Sequence, residues 1–324
     1  MKLLRPIACL LLVFALQSCD LVPLKPGIWK DDKIAADKRK DIHALNDQLL
    51  KYIKAGDRSA IEGMLSGNLL ESNYRRAVEL VGNHMKEGTY NVYSEYYIVN
   101  QLKHNQFIKP NADSAGLNYS AVAKQMYITL LLPKEPANKY MITIEYGKFD
   151  YGWKVEQLEV GKYSENGKNT AELYKEAREQ YAKGYLVNAL TLMGMARECA
   201  QPSDELMPAL DKDMGMFYGK LVNELNNRYT YPIVIKDVPT RPQIFRIENQ
   251  TVKQGTYPTV CYLSTIKLKD TVALKRENEQ VKRVIGNIIP GIDKDKDYML
   301  YNIYNEKPNT STNAYSYDVT VKLK

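Results

Sequence analysis

Histidine and tryptophan are scarce in this chain, three and two in 324 residues, and cysteine (four) and phenylalanine (five) are nearly so. His43, His84 and His104 stand far apart. None has a Cys, His or carboxylate at zinc-ligand spacing, and H-E-x-x-H is absent. G-x-S-x-G, G-x-G-x-x-G and a phosphate-cradling G-K-[S/T] are missing too. Catalytic groups can assemble from distant segments, so these absences lower the expectation of an enzyme without excluding one. No metal or cofactor is expected. Long apolar runs are also lacking: Ile7 to Leu16 is about ten residues, whereas a membrane span needs roughly 20. Charges of one sign never collect into a long block, as "DDKIAADKRKD" illustrates, which argues against nucleic acid as a partner.

What is present begins at the N-terminus. Lys2 and Arg5 precede the short apolar run, which ends in Leu16-Gln17-Ser18-Cys19. That is the order of a secretory signal. The last four residues resemble the lipobox of bacterial lipoproteins, with leucine three before the cysteine and serine one before it. The resemblance implies that residues 1–18 are a signal peptide and that Cys19 becomes an acylated N-terminus. It would carry a diacylglyceryl thioether and an N-acyl group of the palmitate type. More than one chain is what durable membrane attachment requires. The alternative is an ordinary secretory signal with an incidental cysteine. Asp20 resembles the inner-membrane retention signal of some enteric lipoproteins. Residues 19–34, with Pro23, Pro26 and Gly27, read as an extended tether. Removing Lys2 and Arg5 from 45 basic residues leaves 43 against 38 acidic, so the mature chain is only mildly basic.

Along residues 35–54, Ile42, Leu45, Leu49 and Ile53 recur at helical spacing, and Gly56 closes the helix. Asp57 or Ser59 is placed to cap a second helix, Ser59 and Glu62 being at capping-box spacing. A third helix follows Ser72, and Gly88 ends it. The period then falls to two in "YNVYSEYYIV" (90–99), "QMYITLLL" (125–132), "KYMITIEY" (139–146) and "GWKVEQLEV" (152–160), with "GKFDYG" as a hairpin turn. Helices followed by a curved antiparallel sheet, with Gly152-Trp153-Lys154-Val155 on its last strand, resemble the nuclear-transport-factor/ketosteroid-isomerase superfamily of cone-shaped folds over residues 35–163.

Residues 164–230 form a helical region. Leu173, Ala177, Gly184, Ala189 and Ala196 fall at spacings that resemble one tetratricopeptide hairpin, followed by one more helix over 205–227. One such unit is too few for a solenoid. Pro232 and Pro239 mark a boundary, and residues 231–324 read as a small module of β-β-β-α-β-β order, its helix at 271–289 stopped by Pro290-Gly291. The whole is expected to be α+β.

Cys9 leaves with the signal, so Cys199 and Cys261 remain in an oxidising compartment where they could pair. Their placement in different modules favours two buried free thiols instead. "GIDKDKDY" puts Asp293, Asp295 and Asp297 at calcium-loop spacing. Tyr298 and Tyr304 occupy the positions where an EF-hand needs glycine and glutamate, so a solvated turn is expected. Tyr96, Tyr140, Tyr146 and Trp153 are candidate inward-facing pocket residues of the cone. With 25 tyrosines in the chain, core aromatics are the competing explanation. Together these readings point to a membrane-anchored envelope lipoprotein, periplasm-facing rather than surface-exposed. Its expected role is as a non-catalytic binder or adaptor for an envelope protein or small ligand. The alternative is a cone-fold hydrolase or isomerase with an aromatic-lined pocket.

Overall fold

A computed structural model describes residues 24–101, 105–108, 116–207, 211–309 and 314–323. The signal, Cys19 and His104 lie outside the described residues. The chain is an α+β protein of helices and largely antiparallel sheets.

The first helix, α1 (Ala36–Ala55), buries Ile42, Asn46, Leu49 and Ile53 and is closed by left-handed Gly56, as the spacing predicts. Asp57, not Ser59, caps α2 (Arg58–Met64), accepting from the Ala60 N–H at 3.1 Å. Ser66 caps α3 (Gly67–Glu71), a five-residue helix too short to leave a periodic trace. Then α4 (Tyr74–His84) buries Tyr74 and Val81.

These helices cover one face of a five-stranded antiparallel sheet. Its first strand, β1 (Gly27–Lys30), precedes α1, and β2 (Tyr90–Val99) follows α4. Next, β3 (Asn105–Ile108) and β4 (Gly116–Ser120) pair with each other. The chain then returns through β5 (Gln125–Pro133), β6 (Tyr140–Phe149) and β7 (Gly152–Lys162), giving the sheet order β1-β2-β5-β6-β7. Strand β1 corrects the tether's extent. Gly27–Lys30 pairs with Val99–Tyr96, Trp29 packs on Tyr97 at 5.6 Å between ring centroids, and Ile34 is buried, so the free tether ends before Gly27. Backbone pairing and an indole to bury outweigh Pro26 and Gly27.

Both faces of this sheet are covered. Toward the helices lie Tyr97, Val99, Tyr127, Leu131, Ile142, Ile144, Tyr146 and Val155. The outer face carries Tyr96, Ile98, Met126, Ile128, Leu130 and Met141 beneath β4 and its surroundings. The period of two expected over 125–132 does not hold in β5, which is nearly continuous apolar sequence because both of its faces are buried.

A short hairpin, β8 (Ser164–Glu165) with β9 (Lys168–Asn169), leads into α5 (Thr170–Ala182), where Asn169 and Glu172 form a capping box. Helix α6 (Leu186–Glu198) packs back on α5 through Ala177, Ala189 and Ala196, all fully buried, so the small residues serve close helix approach as expected. The segment from Cys199 to β10 (Leu206–Met207) then crosses to the first module, where β10 pairs with β4. At that crossing the Pro202 carbonyl oxygen lies only 2.1 Å from where a Cβ of Gly161 would stand, so no larger residue fits there. The last helix of this region, α7 (Asp211–Arg228), packs Phe217 and Leu221 on α5 and α6 and starts later than the predicted 205.

The C-terminal module has the predicted β-β-β-α-β-β order: β11 (Ile233–Val234), β12 (Gln243–Val252), β13 (Gly255–Leu263), α8 (Thr271–Ile288), β14 (Tyr298–Tyr304) and β15 (Ser316–Lys322). These strands lie in chain order in one sheet, and β13 and β14 run parallel across the α8 crossover. Leu274, Val281 and Ile285 of α8 meet Val260, Tyr262, Met299 and Tyr301 in its core. Among the described residues, no helix is long and apolar enough to cross a membrane.

Candidate functional site

The four candidate pocket aromatics do not share one wall. Tyr140, Tyr146 and Trp153 face the helices: Tyr140 stacks on His84 at 4.1 Å, and Trp153 packs against the helix-side core. Tyr96 lies on the outer face. The unbroken run Tyr96-Tyr97-Ile98-Val99 carries no alternation from which its face could be read. Tyr146 is fully buried and donates to Asn46 Oδ1 at 2.9 Å, while Asn46 Nδ2 donates to Thr129 Oγ1 at 3.3 Å. The interior between sheet and helices is thus occupied by the chain's own tyrosines. Burial pushes the Tyr146 hydroxyl well above its ordinary value, so it is a neutral donor.

Beside it is a polar hub that sequence reasoning missed. Glu95, 1% exposed, accepts from Arg39 Nε, His43 Nε2 and the Tyr127 hydroxyl, each at 2.7 Å. Arg39 and His43 come from successive turns of α1, and Tyr127 from the neighbouring strand. Asp31 closes the back of the hub, its carboxylate accepting from Ser94 Oγ and from the Glu95 N–H at 2.9 Å each. The signal was available: Glu95 is the one charge inside "YNVYSEYYIV". A charge in a two-sided strand must find partners, and an Arg and a His four residues apart on the covering helix supply them. Arg39 and His43 remain more than a third exposed and line a shallow recess with Lys40 and Asp47.

A second polar region lies where α5, α6, β13 and the 291–297 loop meet. A cleft of about 280 Å³ is lined there by Glu176, Gln180, Asn188, Thr191, Tyr257, Lys296 and Asp297, among others. Its polar wall is bonded before any ligand arrives. Gln180 donates to Asp295 Oδ2 at 2.9 Å and accepts from Asn188 Nδ2 at 3.1 Å.

The aspartate loop is the solvated turn expected, with Lys294, Asp295 and Asp297 exposed, but it is also tied to the neighbouring helices. Asp295 pairs with Lys183 at 2.7 Å, and Gly291, at φ +80°, lies against the Tyr185 ring, 2.1 Å from where a Cβ would stand. Lys296 supplies the cation that the loop's oxygens need. Its ammonium donates to Asn188 Oδ1 at 2.7 Å, Ile292 O at 2.7 Å and Lys294 O at 2.8 Å. Burial pulls Lys296 down to about 8, opposed by Asp293, Asp295 and Glu176. Among the described residues, no group of three or more His, Cys, Asp or Glu is arranged to hold a metal ion.

The remaining expectations fall as follows. His84 bonds Glu87 at 3.1 Å beneath its stack on Tyr140. Cys199, after α6, and Cys261, in β13, are buried free thiols, and burial pushes each up to about 12. Neither is a ready nucleophile. Comparison with family models, with curated proteins and with solved structures returned no match.

Proposed function

We propose that this chain is a lipid-anchored protein of a bacterial envelope, held by acylated Cys19, whose folded modules bind a partner or small ligand without turning it over. The observation that carries the binding reading is a contrast of interiors. The space between helices and sheet is filled by hydrogen-bonded Tyr127 and Tyr146, while a preorganised polar cleft of about 280 Å³ opens at the junction of the helical region and the C-terminal module. Preorganised walls favour binding because few groups are left to order when a ligand arrives. The anchor is supported by the order of the first 19 residues. The test is a thermal-shift screen of envelope extracts and metabolite pools against wild type and Asp297→Lys, which alters an exposed cleft residue. A ligand that stabilises wild type and fails on the variant supports the reading. Ligands indifferent to Asp297 place binding elsewhere and remove the cleft from it.

One observation favours the enzymatic alternative. His43 Nε2 lies 2.7 Å from the buried Glu95 carboxylate while its ring edge reaches a surface recess, the pattern of a base oriented by an acid. Turnover abolished in a folded His43→Gln chain would establish that alternative and overturn the non-catalytic reading.

A further inference from the structure

The sheet register brings two distant parts of the chain to one end of the molecule. Gly27 pairs with Val99, Val99 with Gln125, Gln125 with Lys148, and Lys148 with Trp153. These five residues form one row across the sheet. At about 4.8 Å per strand, the place where the tether joins the fold is only ~19 Å from the tip of the β6–β7 hairpin. Seven residues separate Cys19 from Gly27, and in an extended proline-bearing conformation the eight steps between them span about 25 Å. An acylated Cys19 would therefore hold this end of the sheet close to the bilayer.

That end has the chemistry of a membrane interface. The hairpin tip reads Lys148-Phe149-Asp150-Tyr151-Gly152-Trp153-Lys154. Phe149 and Tyr151 stack in parallel at 5.3 Å, and Tyr151 is 66% exposed, a large aromatic left in water. Lys148 and Lys154 sit over the Trp153 and Tyr151 rings at 6.0 Å and 5.8 Å. The neighbouring strand ends add exposed Lys25 and Lys124. Against these four lysines the tether end, the strand ends and the hairpin tip carry one acid among the described residues, Asp150. An amphipathic tyrosine stacked on an apolar phenylalanine and flanked by lysines suits the headgroup layer, where the rings bury their faces and the ammonium groups meet anionic phosphates.

We propose that this end of the sheet is a membrane-docking surface, with Phe149 and Tyr151 seated in the headgroup region and Lys25, Lys124 and Lys148 facing anionic lipid. The proposal rests on the anchor reading for its geometry, and its test does not depend on native acylation. A chain starting at Asp20 keeps every described residue. It is attached by an N-terminal histidine tag to nickel-chelating lipid in vesicles of phosphatidylcholine, with or without phosphatidylglycerol. Tyr151→Cys then provides an accessible thiol for an environment-sensitive fluorophore, since Cys199 and Cys261 are buried. Lys134→Cys, at the opposite end of β5, is the control.

The expected result is a blue-shifted emission, quenched by brominated lipid, at position 151 and not at 134, and stronger with phosphatidylglycerol. Replacing Lys124 or Lys148 with Gln should lower the docked-to-undocked ratio roughly fivefold each. Equal responses at the two positions, or a tip label indifferent to lipid, would overturn the proposal. An unacylated Cys19 would be a separate failure, that of the anchor.

Discussion

Glu95 and Glu145 lie on opposite faces of the same sheet, 1% and 3% exposed, and their surroundings are opposite in kind. The Glu95 carboxylate is ringed by three donors, a guanidinium, an imidazole and a phenol, while its backbone N–H donates to Asp31. Glu145 has no hydrogen-bonding partner among the described residues. The charged groups that bear on it are Glu205, Glu156 and Glu159, all acids. Burial first, then these neighbours, push its carboxyl up to about 8. Glu205, covering the same face, is raised by burial and by Glu159. Equal burial thus meets a ring of donors on one face and a cluster of acids on the other, where Glu145 and Glu205 are raised. Partners, not depth, make the difference.

The contrast breaks most visibly at Glu95. Glu95→Ala strands Arg39, His43 and Tyr127 without their acceptor and should cost about 3 kcal/mol in denaturant unfolding, the exposure of Arg39 and His43 keeping it from being larger. A loss under ~1 kcal/mol would mean that the hub is decorative.

Glu145→Gln should behave in the reverse sense and depend on pH. Glu145 titrates near 8 in the fold against an ordinary 4.5, so the native state keeps a proton that the unfolded chain releases. Wild-type stability therefore falls as pH rises from about 4.5 to about 8. Gln does not titrate, so the variant should match wild type near the acid end and exceed it by a few kcal/mol at the alkaline end, each pH unit between contributing up to about 1.4 kcal/mol. A constant difference across that window would show that Glu145 is ionised throughout.

Two smaller substitutions sharpen the comparison. Tyr146→Phe removes the hydroxyl that bonds Asn46 on the helix side and should cost about 1 kcal/mol. Thr143 is fully buried on the outer face, two residues from Glu145, and its hydroxyl has no partner among the described residues. Thr143→Val should be neutral or stabilise by up to ~1 kcal/mol, because an unpaired buried hydroxyl is replaced by a methyl of the same shape. If both variants lose the same amount, the two faces are not distinguished by hydrogen bonding.

The long periodic elements were legible in the sequence, and the short or two-sided ones were not. Ile42, Leu49 and Ile53 announced α1, and Leu274, Val281 and Ile285 announced α8, because one face of each helix is wet. The order of the C-terminal module was readable from its Pro and Gly breaks, although β13 and β14 are buried along nearly their whole length. Strand β1 was hidden by the prolines before it and by its own glycine, and α3, β3, β4, β8, β9 and β10 by lengths of two to five residues. The face of Tyr96 could not be read where both faces are buried. Candidate sites suffered most, since they join distant segments. The Glu95 hub spans α1, β2 and β5, and the junction cleft draws on α5, α6, β13 and a loop. Nothing in the spacing of "GIDKDKDY" marks Lys296 as the residue around which the carbonyls of Ile292 and Lys294 close.

Lipid anchoring is tested most directly by the intact mass of the mature N-terminus, taken from detergent-extracted membranes. The expected species begins at Cys19 and carries a diacylglyceryl thioether with an N-acyl group, and it is absent from a Cys19→Ala chain, which loses lipid attachment. A wild-type N-terminus without acyl groups, or beginning at another residue, would contradict the anchor.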